Sequence, residues 1–304
     1  MSGKEVKEWF VDTVFGKLAV VSWGDPSRPP VLMVHGYMDT AATFIPLMEE
    51  LPDSYYYVAF DVPGHGKSCH LPMGPSPTQT ITIESVRAVV NYMAWDSFLF
   101  MGHSIGGMAG VLYNRLYPGK ITRIVLLDPL LALAVYYNVT HDIQEHYRRS
   151  YYNYYDQVIT NKNPRSLYPY DKAVSVIMKN RQLTRKQAEI VLSRSLEPLT
   201  GGLYRFTTQP IMKKLGCLPL RLNMLIDVLS KQPPILSLVA SKQRFQTHEK
   251  EFIEQLSHVL KRERNFYHTI EGHHDVHVTN PELLAPFIAD FLKKDPLVNK
   301  KAKL

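Results

Sequence analysis

Short apolar runs set the rhythm of the first 130 residues. Val31–Val34, Tyr55–Phe60, Trp95–Met101 and Ile121–Leu127 each read as a strand, the first and last almost without polar interruption. Runs of this length without a regular polar alternate suit strands buried on both faces. Between them lie stretches with helical spacing: Thr43–Leu51, Thr80–Tyr92 and Met108–Tyr117. In Thr80–Tyr92 the residues Ile83, Val86, Val89 and Val90 fall on one side. The stretch from Trp9 to Trp23 instead alternates around Phe15-Gly16-Lys17, which predicts two short strands joined by a turn. A strong break follows at Gly24–Pro30. Strand-then-helix repetition predicts an α/β fold: a mostly parallel sheet with helices on both faces.

After Pro129 the strand rhythm stops. Leu130–Arg221 is helical in pattern, with several breaks, and is too long for a plain crossover. Tyrosines crowd its first part: Tyr136, Tyr137, Tyr147, Tyr151, Tyr152, Tyr154, Tyr155, Tyr168 and Tyr170. The economical reading is an inserted helical cap over the strand ends. Tyrosine suits a pocket roof, having apolar area and one hydroxyl, although the same residues could simply pack the insertion. Residues 1–129 and 222–304 then form the core and 130–221 the cap. The sheet pattern resumes at Pro234–Ala240, with a helix over Glu249–Leu260, a last strand over Asn265–Ile270 and a closing helix over Pro281–Leu292.

In an open α/β sheet, chemistry belongs at the carboxyl ends of the strands. His35, Asp61, Ser104 and Asp128 all fall there. The turn Gly102-His103-Ser104-Ile105-Gly106 joins a strand to a helix, the context of a nucleophile elbow. Glycines flank Ser104 because side chains would collide across so sharp a turn. A serine hydroxyl needs a general base. His273, His274 and His277 follow the last strand, and spacing alone does not choose among them. An acid must hold the histidine tautomer. Asp128, directly after a core strand, leads, although it could instead cap the turn before Pro129. Glu249 is the reserve, because the loop after Ala240 carries no carboxylate before it. Asp275 adjoins His274, but neighbouring side chains rarely orient each other's rings. The oxyanion donors are expected to be the N–H groups of Ile105 and Tyr37. Gly36 allows close approach of that loop, His35 braces it, and Asp61 and His65 organise the neighbouring turn.

Composition changes this picture little. The 304 residues are enough for one domain with an insertion. Apolar content of 45% and charged content of 21% are ordinary for a globular protein. A formal net charge of +7 could favour anionic substrates or surfaces, although scattered lysines on a basic enzyme explain it as well. Two cysteines, Cys69 and Cys217, cannot build a disulfide framework, so reducing surroundings are expected. There is no signal core near Met1–Trp9, no apolar window of spanning length, no nucleic-acid motif, no dinucleotide fingerprint and no zinc motif. No metal or organic cofactor is expected. The tail ends in Ala302-Lys303-Leu304, similar to a Ser-Lys-Leu address, which would make a peroxisomal import receptor a partner. A merely basic tail on a cytoplasmic protein is the alternative.

As a set, His35-Gly36-Tyr37, the Asp61–Ser68 turn, Gly102–Gly107, Leu127-Asp128 and Gly272–His277 resemble the alpha/beta-hydrolase superfamily. They are most similar to its serine hydrolase-like (kraken-like) subfamily. The resemblance implies an eight-stranded sheet with a helical cap between strands six and seven. It implies Ser104 as nucleophile and His274 as base, from the Gly-x-His-x-Val-His pattern. It also supports an early acid at Asp128, as in capped haloalkane dehalogenases. Those enzymes and the epoxide hydrolases use aspartate as nucleophile, so Ser104 argues against both activities. Some subfamily members are peroxisomal, which agrees with the tail. The expected activity is hydrolysis of a carboxylic ester or thioester with a small-to-medium apolar acyl group. A non-catalytic ligand-binding protein and a carbon-carbon bond hydrolase are the alternatives.

Overall fold

The structure, a computed structural model, describes residues 3–72, 77–141, 166–218, 220–262 and 264–293, together with Tyr152 and Asp156. The terminal tail lies outside the described residues, as do Tyr147, Tyr151, Tyr154, Tyr155 and the side chain of Tyr137.

In chain order the strands are β1 (Val6–Thr13), β2 (Gly16–Trp23), β3 (Pro30–Val34), β4 (Tyr56–Phe60), β5 (Phe98–His103), β6 (Ile121–Leu127), β7 (Tyr168–Pro169), β8 (Leu196–Pro198), β9 (Leu203–Phe206), β10 (Ile235–Ala240) and β11 (Phe266–Ile270). Eight of them form one sheet in the order β1-β2-β4-β3-β5-β6-β10-β11. β2 runs antiparallel to both of its neighbours, and every other pairing in this sheet is parallel.

The sequence explains why the central strands read as unbroken apolar runs. Successive side chains of a strand point to opposite faces, and here both faces are covered. Leu32, Val34, Val58, Phe60, Phe100, Ile124 and Leu126 pack on one face, against the helices Thr80–Tyr92, Ile105–Leu116 and Thr247–Leu260. Val31, Met33, Tyr57, Ala59, Met101, Val125 and Leu127 pack on the other, against Ile45–Glu50 and Pro281–Lys293.

Register then lines up the strand ends. Val34 pairs with Gly102, and Leu127 pairs with both His103 and Leu238. One residue beyond the ladder, Ser104 N–H donates to the Leu127 carbonyl at 2.9 Å and Asp128 N–H to the Leu238 carbonyl at 2.8 Å. His35, Ser104 and Asp128 therefore emerge side by side at one edge of the sheet.

The expected helical stretch between β6 and β10 is only partly helical. It contains the helices Leu130–His141, Tyr170–Arg181, Arg185–Leu192 and Leu222–Ser230, the last running past Arg221. It also contains a separate three-stranded antiparallel sheet in the order β7-β9-β8. Val174, Leu183, Ala188, Val191 and Leu192 give this segment a small core of its own, which touches Val278. The described tyrosines mostly pack the segment. Tyr136 is fully buried and donates to Gln79 Oε1 at 2.5 Å. Tyr168 and Tyr170 lie against Phe206 and Tyr204. Cys69 and Cys217 are free thiols. Among the described residues, no helix is long and apolar enough to cross a membrane.

Candidate active site

Ser104 sits at the junction of β5 and the helix Ile105–Leu116, with φ 52° and ψ −124°. That positive φ is costly for any residue but glycine, and Ser104 is held in it while buried. The turn closes on bare backbone. A Cβ on Gly102 would lie 2.5 Å from Gly107 Cα, and one on Gly106 would lie 2.3 Å from the His35 carbonyl oxygen. Both glycines are thus required by contact as well as by pattern. The helix begins at Ile105, three residues before the periodicity predicts it. Its first N–H groups therefore open directly beneath the serine.

His274 and Asp128 meet across 146 residues. His274 Nδ1 lies 2.6 Å from Asp128 Oδ2, with the imidazole part-exposed and the carboxylate fully buried. A carboxylate can only accept, so Nδ1 carries the proton and Nε2 is left as an acceptor. The other carboxylate oxygen, Oδ1, accepts Ala240 N–H at 2.8 Å and the side-chain amide of Gln243. Burial pushes the Asp128 carboxyl above its ordinary pKa, and the bonds from His274 and Ala240 oppose that shift. Asp128 also has positive φ, at 49°.

The other two histidines after β11 are placed differently. His273 is exposed. His277 is buried, with Nε2 2.6 Å from Thr43 Oγ1, and burial lowers its pKa to about 3. Behind them, His103 Nε2 lies 3.1 Å from the His274 carbonyl, and its ring packs against those of His274 and His277. Burial also holds His103 neutral, well below the usual histidine value. The residue preceding Ser104 thus grips the loop that carries His274. Glu249, the reserve acid, accepts Gln246 N–H at 2.7 Å and caps the helix Thr247–Leu260.

Opposite lies the loop after β3. His35 Nε2 accepts Val62 N–H at 2.9 Å, so its Nδ1–H donates to the Gly36 carbonyl at 2.8 Å. A Cβ on Gly36 would come 2.5 Å from His103 Nδ1. Among the described residues, the N–H groups of Tyr37 and Ile105 meet no hydrogen-bond acceptor. Asp61 accepts Ala41 N–H at 2.8 Å and Lys67 N–H at 2.9 Å, and His65 stacks edge-on against His35.

Three functional neighbours escape a reading of the sequence. Gln243 occupies the loop after Ala240 where a carboxylate is absent, and its amide faces Asp128. Asking what fills that loop could have found it. His103 is visible only as the variable residue of the serine motif. Arg181, which binds Asp39 and Asp275, has no sequence signal. Among the described residues, Asp39, His103 and His277 have donor atoms within 4.8 Å of one another, the spacing of a metal site. Asp39 already accepts Arg181 at 2.8 Å and Thr40 N–H at 2.9 Å, so its carboxylate is committed to a resident cation. An open cavity of about 760 Å³ adjoins the histidine loop, lined by Gln182, Ser241, Lys242, Gln243, Arg244 and His273.

A mostly parallel sheet with a strained serine after its central strand β5, and a histidine-carboxylate pair on the loops after β11 and β6, defines a class. Residues 29–185, just over half of the chain, match the family model for the alpha/beta hydrolase fold, and the chain belongs to that family. A serine hydrolase-like protein of Danio rerio is 28% identical over 299 residues, covering 95% of this chain and 89% of the relative. The human serine hydrolase-like protein 2 is 29% identical, covering 92% and 91%. Among solved structures, the hypothetical protein PA1622 from Pseudomonas aeruginosa PAO1 superposes with a TM-score of 0.78 at 25% identity, covering 95% of this chain and all of that one.

Proposed function

We propose that the protein is a serine hydrolase that cleaves a carboxylic ester or thioester with a small-to-medium apolar acyl group. The observation that carries this reading is the 2.6 Å contact between His274 Nδ1 and buried Asp128, on the loop gripped by the residue before Ser104. In the cycle, His274 Nε2 takes the Ser104 proton as Oγ attacks the acyl carbonyl. Asp128 stabilises the imidazolium that forms. The N–H groups of Tyr37 and Ile105 receive the oxyanion. Removing one such donor typically costs about 3 kcal/mol of transition-state stabilisation. His274 then protonates the leaving alcohol or thiol, and water activated by the same ring frees the serine. All protons pass through one imidazole, so the cycle calls for no cofactor.

We assign the segment 130–221 the role of a cap over this site. Supporting this, it supplies Arg181 and Arg194 to carboxylates of the strand-end loops, and the Lys213 carbonyl accepts the Tyr37 hydroxyl at 3.1 Å. The similarity to serine hydrolase-like proteins of Danio rerio and human supports a hydrolase.

Fluorophosphonate labelling tests the reading. The expected result is a single labelled serine, with labelling and turnover of short p-nitrophenyl esters both lost in Ser104→Ala. Folded parent protein that resists labelling and turns over no ester or thioester would instead mark a ligand-binding protein on this fold.

A further inference from the structure

We propose that Arg181 is a positioning residue for the hydrolysis: one guanidinium from the segment between β6 and β10 ties the loop bearing the Tyr37 amide to the loop bearing His274. The proposal rests on the serine hydrolase reading above.

Arg181 ends the helix Tyr170–Arg181, and the chain turns sharply after it because Gln182 adopts the left-handed conformation at φ 56°. The side chain, mostly buried, reaches the loops after β3 and β11. Its Nε donates to Asp275 Oδ2 at 2.9 Å, and Nη2 donates to Asp275 Oδ1 at 2.5 Å and to Asp39 Oδ2 at 2.8 Å. Asp39 lies two residues after Tyr37. Its second oxygen takes Thr40 N–H and so fixes the exit of that loop. Asp275 follows His274 directly, and its carbonyl accepts Val278 and Thr279 N–H, opening the short helix Val276–Thr279. Both carboxylates therefore act on backbone that carries a reacting group, and the same cation holds both.

The electrostatics require this cation. Asp39 and Asp275 are both buried. Burial alone would raise the Asp39 carboxyl, but the Arg181 charge and hydrogen bond outweigh it and hold the group well below the usual carboxylate range. The nearby rings of His103 and His277 are kept neutral by burial, so they do not neutralise these acids. Only a planar fork can bind Asp275 through two nitrogens and still reach Asp39. A lysine would hold one carboxylate at a time. Without any cation, two buried charges would face each other at the base of the site, and the loops would separate. Displacements of the order of 1 Å at reacting groups can cost about 100-fold in rate.

The test uses the full chain with Arg181→Gln, Arg181→Lys and, in case the first fails to fold, Asp275→Asn. Thermal melts establish that each variant is folded at the assay temperature. The expected result for Arg181→Gln is a kcat on p-nitrophenyl acetate about 10- to 100-fold below the parent, with KM within about two-fold. Fluorophosphonate labelling of Ser104 should slow by the same factor, and Arg181→Lys should recover part of the loss. A second readout needs no substrate: the low-field proton resonance of His274 Nδ1–H, bonded to Asp128, should be lost or displaced in Arg181→Gln and Asp275→Asn. Folded variants with parental kcat and an unchanged low-field proton overturn the proposal. If the parent neither labels nor turns over, the hydrolase reading fails by itself, and the proton resonance still decides for or against the clamp.

Discussion

Ser104 and Asp128 share an unusual property: both are non-glycine residues at positive φ, at the ends of adjacent strands. Each is held there by a ladder bond just beyond the pairing, from Ser104 N–H to Leu127 and from Asp128 N–H to Leu238. Positions so over-determined by their surroundings are where strain accumulates at working sites. Asp128→Asn should reduce kcat on a p-nitrophenyl ester by about 10⁴-fold, the loss that follows amidation of a triad acid. Glu249→Gln, altering a helix cap, should stay within a few-fold of the parent. The reverse outcome would reassign the acid. Gly36→Ala should destabilise by about 1–3 kcal/mol, since its methyl would press on the His103 ring. Chemical denaturation of the variant checks this, and an unchanged midpoint would contradict the packing described. At this scale the sequence was informative wherever the signal is local. Ser104 and its glycines lie within five residues, and the strand-turn-helix pattern around them is local even though Gly106 is also pressed by the His35 carbonyl. Gln243 and Arg181 act on partners 94 to 142 residues away, so no local pattern announces them.

Among the elements, strands buried on both faces were legible because their apolar runs have no other explanation. Ile121–Leu127 and Thr80–Tyr92 come out with the bounds their patterns predict. β5 begins at Phe98 rather than Trp95, because Asp96 and Ser97 are polar and the ladder starts beyond them. The small sheet of β7, β9 and β8 was not foreseen. Its strands have two to four residues, too few for an alternation to show. The segment that contains it is fastened by a second arginine. Arg194 donates through Nη2 to fully buried Asp61 at 2.9 Å and through Nη1 to Glu8 at 2.6 Å. Arg194→Leu would leave the Asp61 carboxylate uncompensated and should destabilise by about 3–5 kcal/mol. Urea unfolding measures this, and a loss under about 1 kcal/mol would mean that Ala41 and Lys67 N–H groups suffice to hold the charge.

For the molecule as a whole, buried histidines set the response to acid. Burial lowers the pKa of His35, His65, His103 and His277, to about 3 for His65 and His277. In the unfolded chain a histidine titrates near 6.5. Below that pH the unfolded state binds protons that the folded state refuses, so stability is present above about 6.5 and is lost as pH falls. Each such group contributes a slope of up to about 1.4 kcal/mol per pH unit. Asp39, held low by Arg181, adds to the loss once pH falls below the ordinary carboxylate value. Asp128, whose pKa is raised, acts in the opposite sense. Unfolding free energy should therefore drop steeply between pH 7 and pH 5, before most carboxylates titrate. A flat profile across that interval would show that these rings take up protons while still folded.

The two arginine anchors also limit what can be exchanged between related chains. A segment grafted between β6 and β10 from another hydrolase, however well its own interior packs, would arrive without keys for three acidic locks on the loops at the carboxyl ends of the strands: Asp39, Asp61 and Asp275. Such chimeras should fold only when the donor carries guanidinium groups at both positions or the host surrenders those acids. Here that segment and the sheet it is anchored to have to be inherited together.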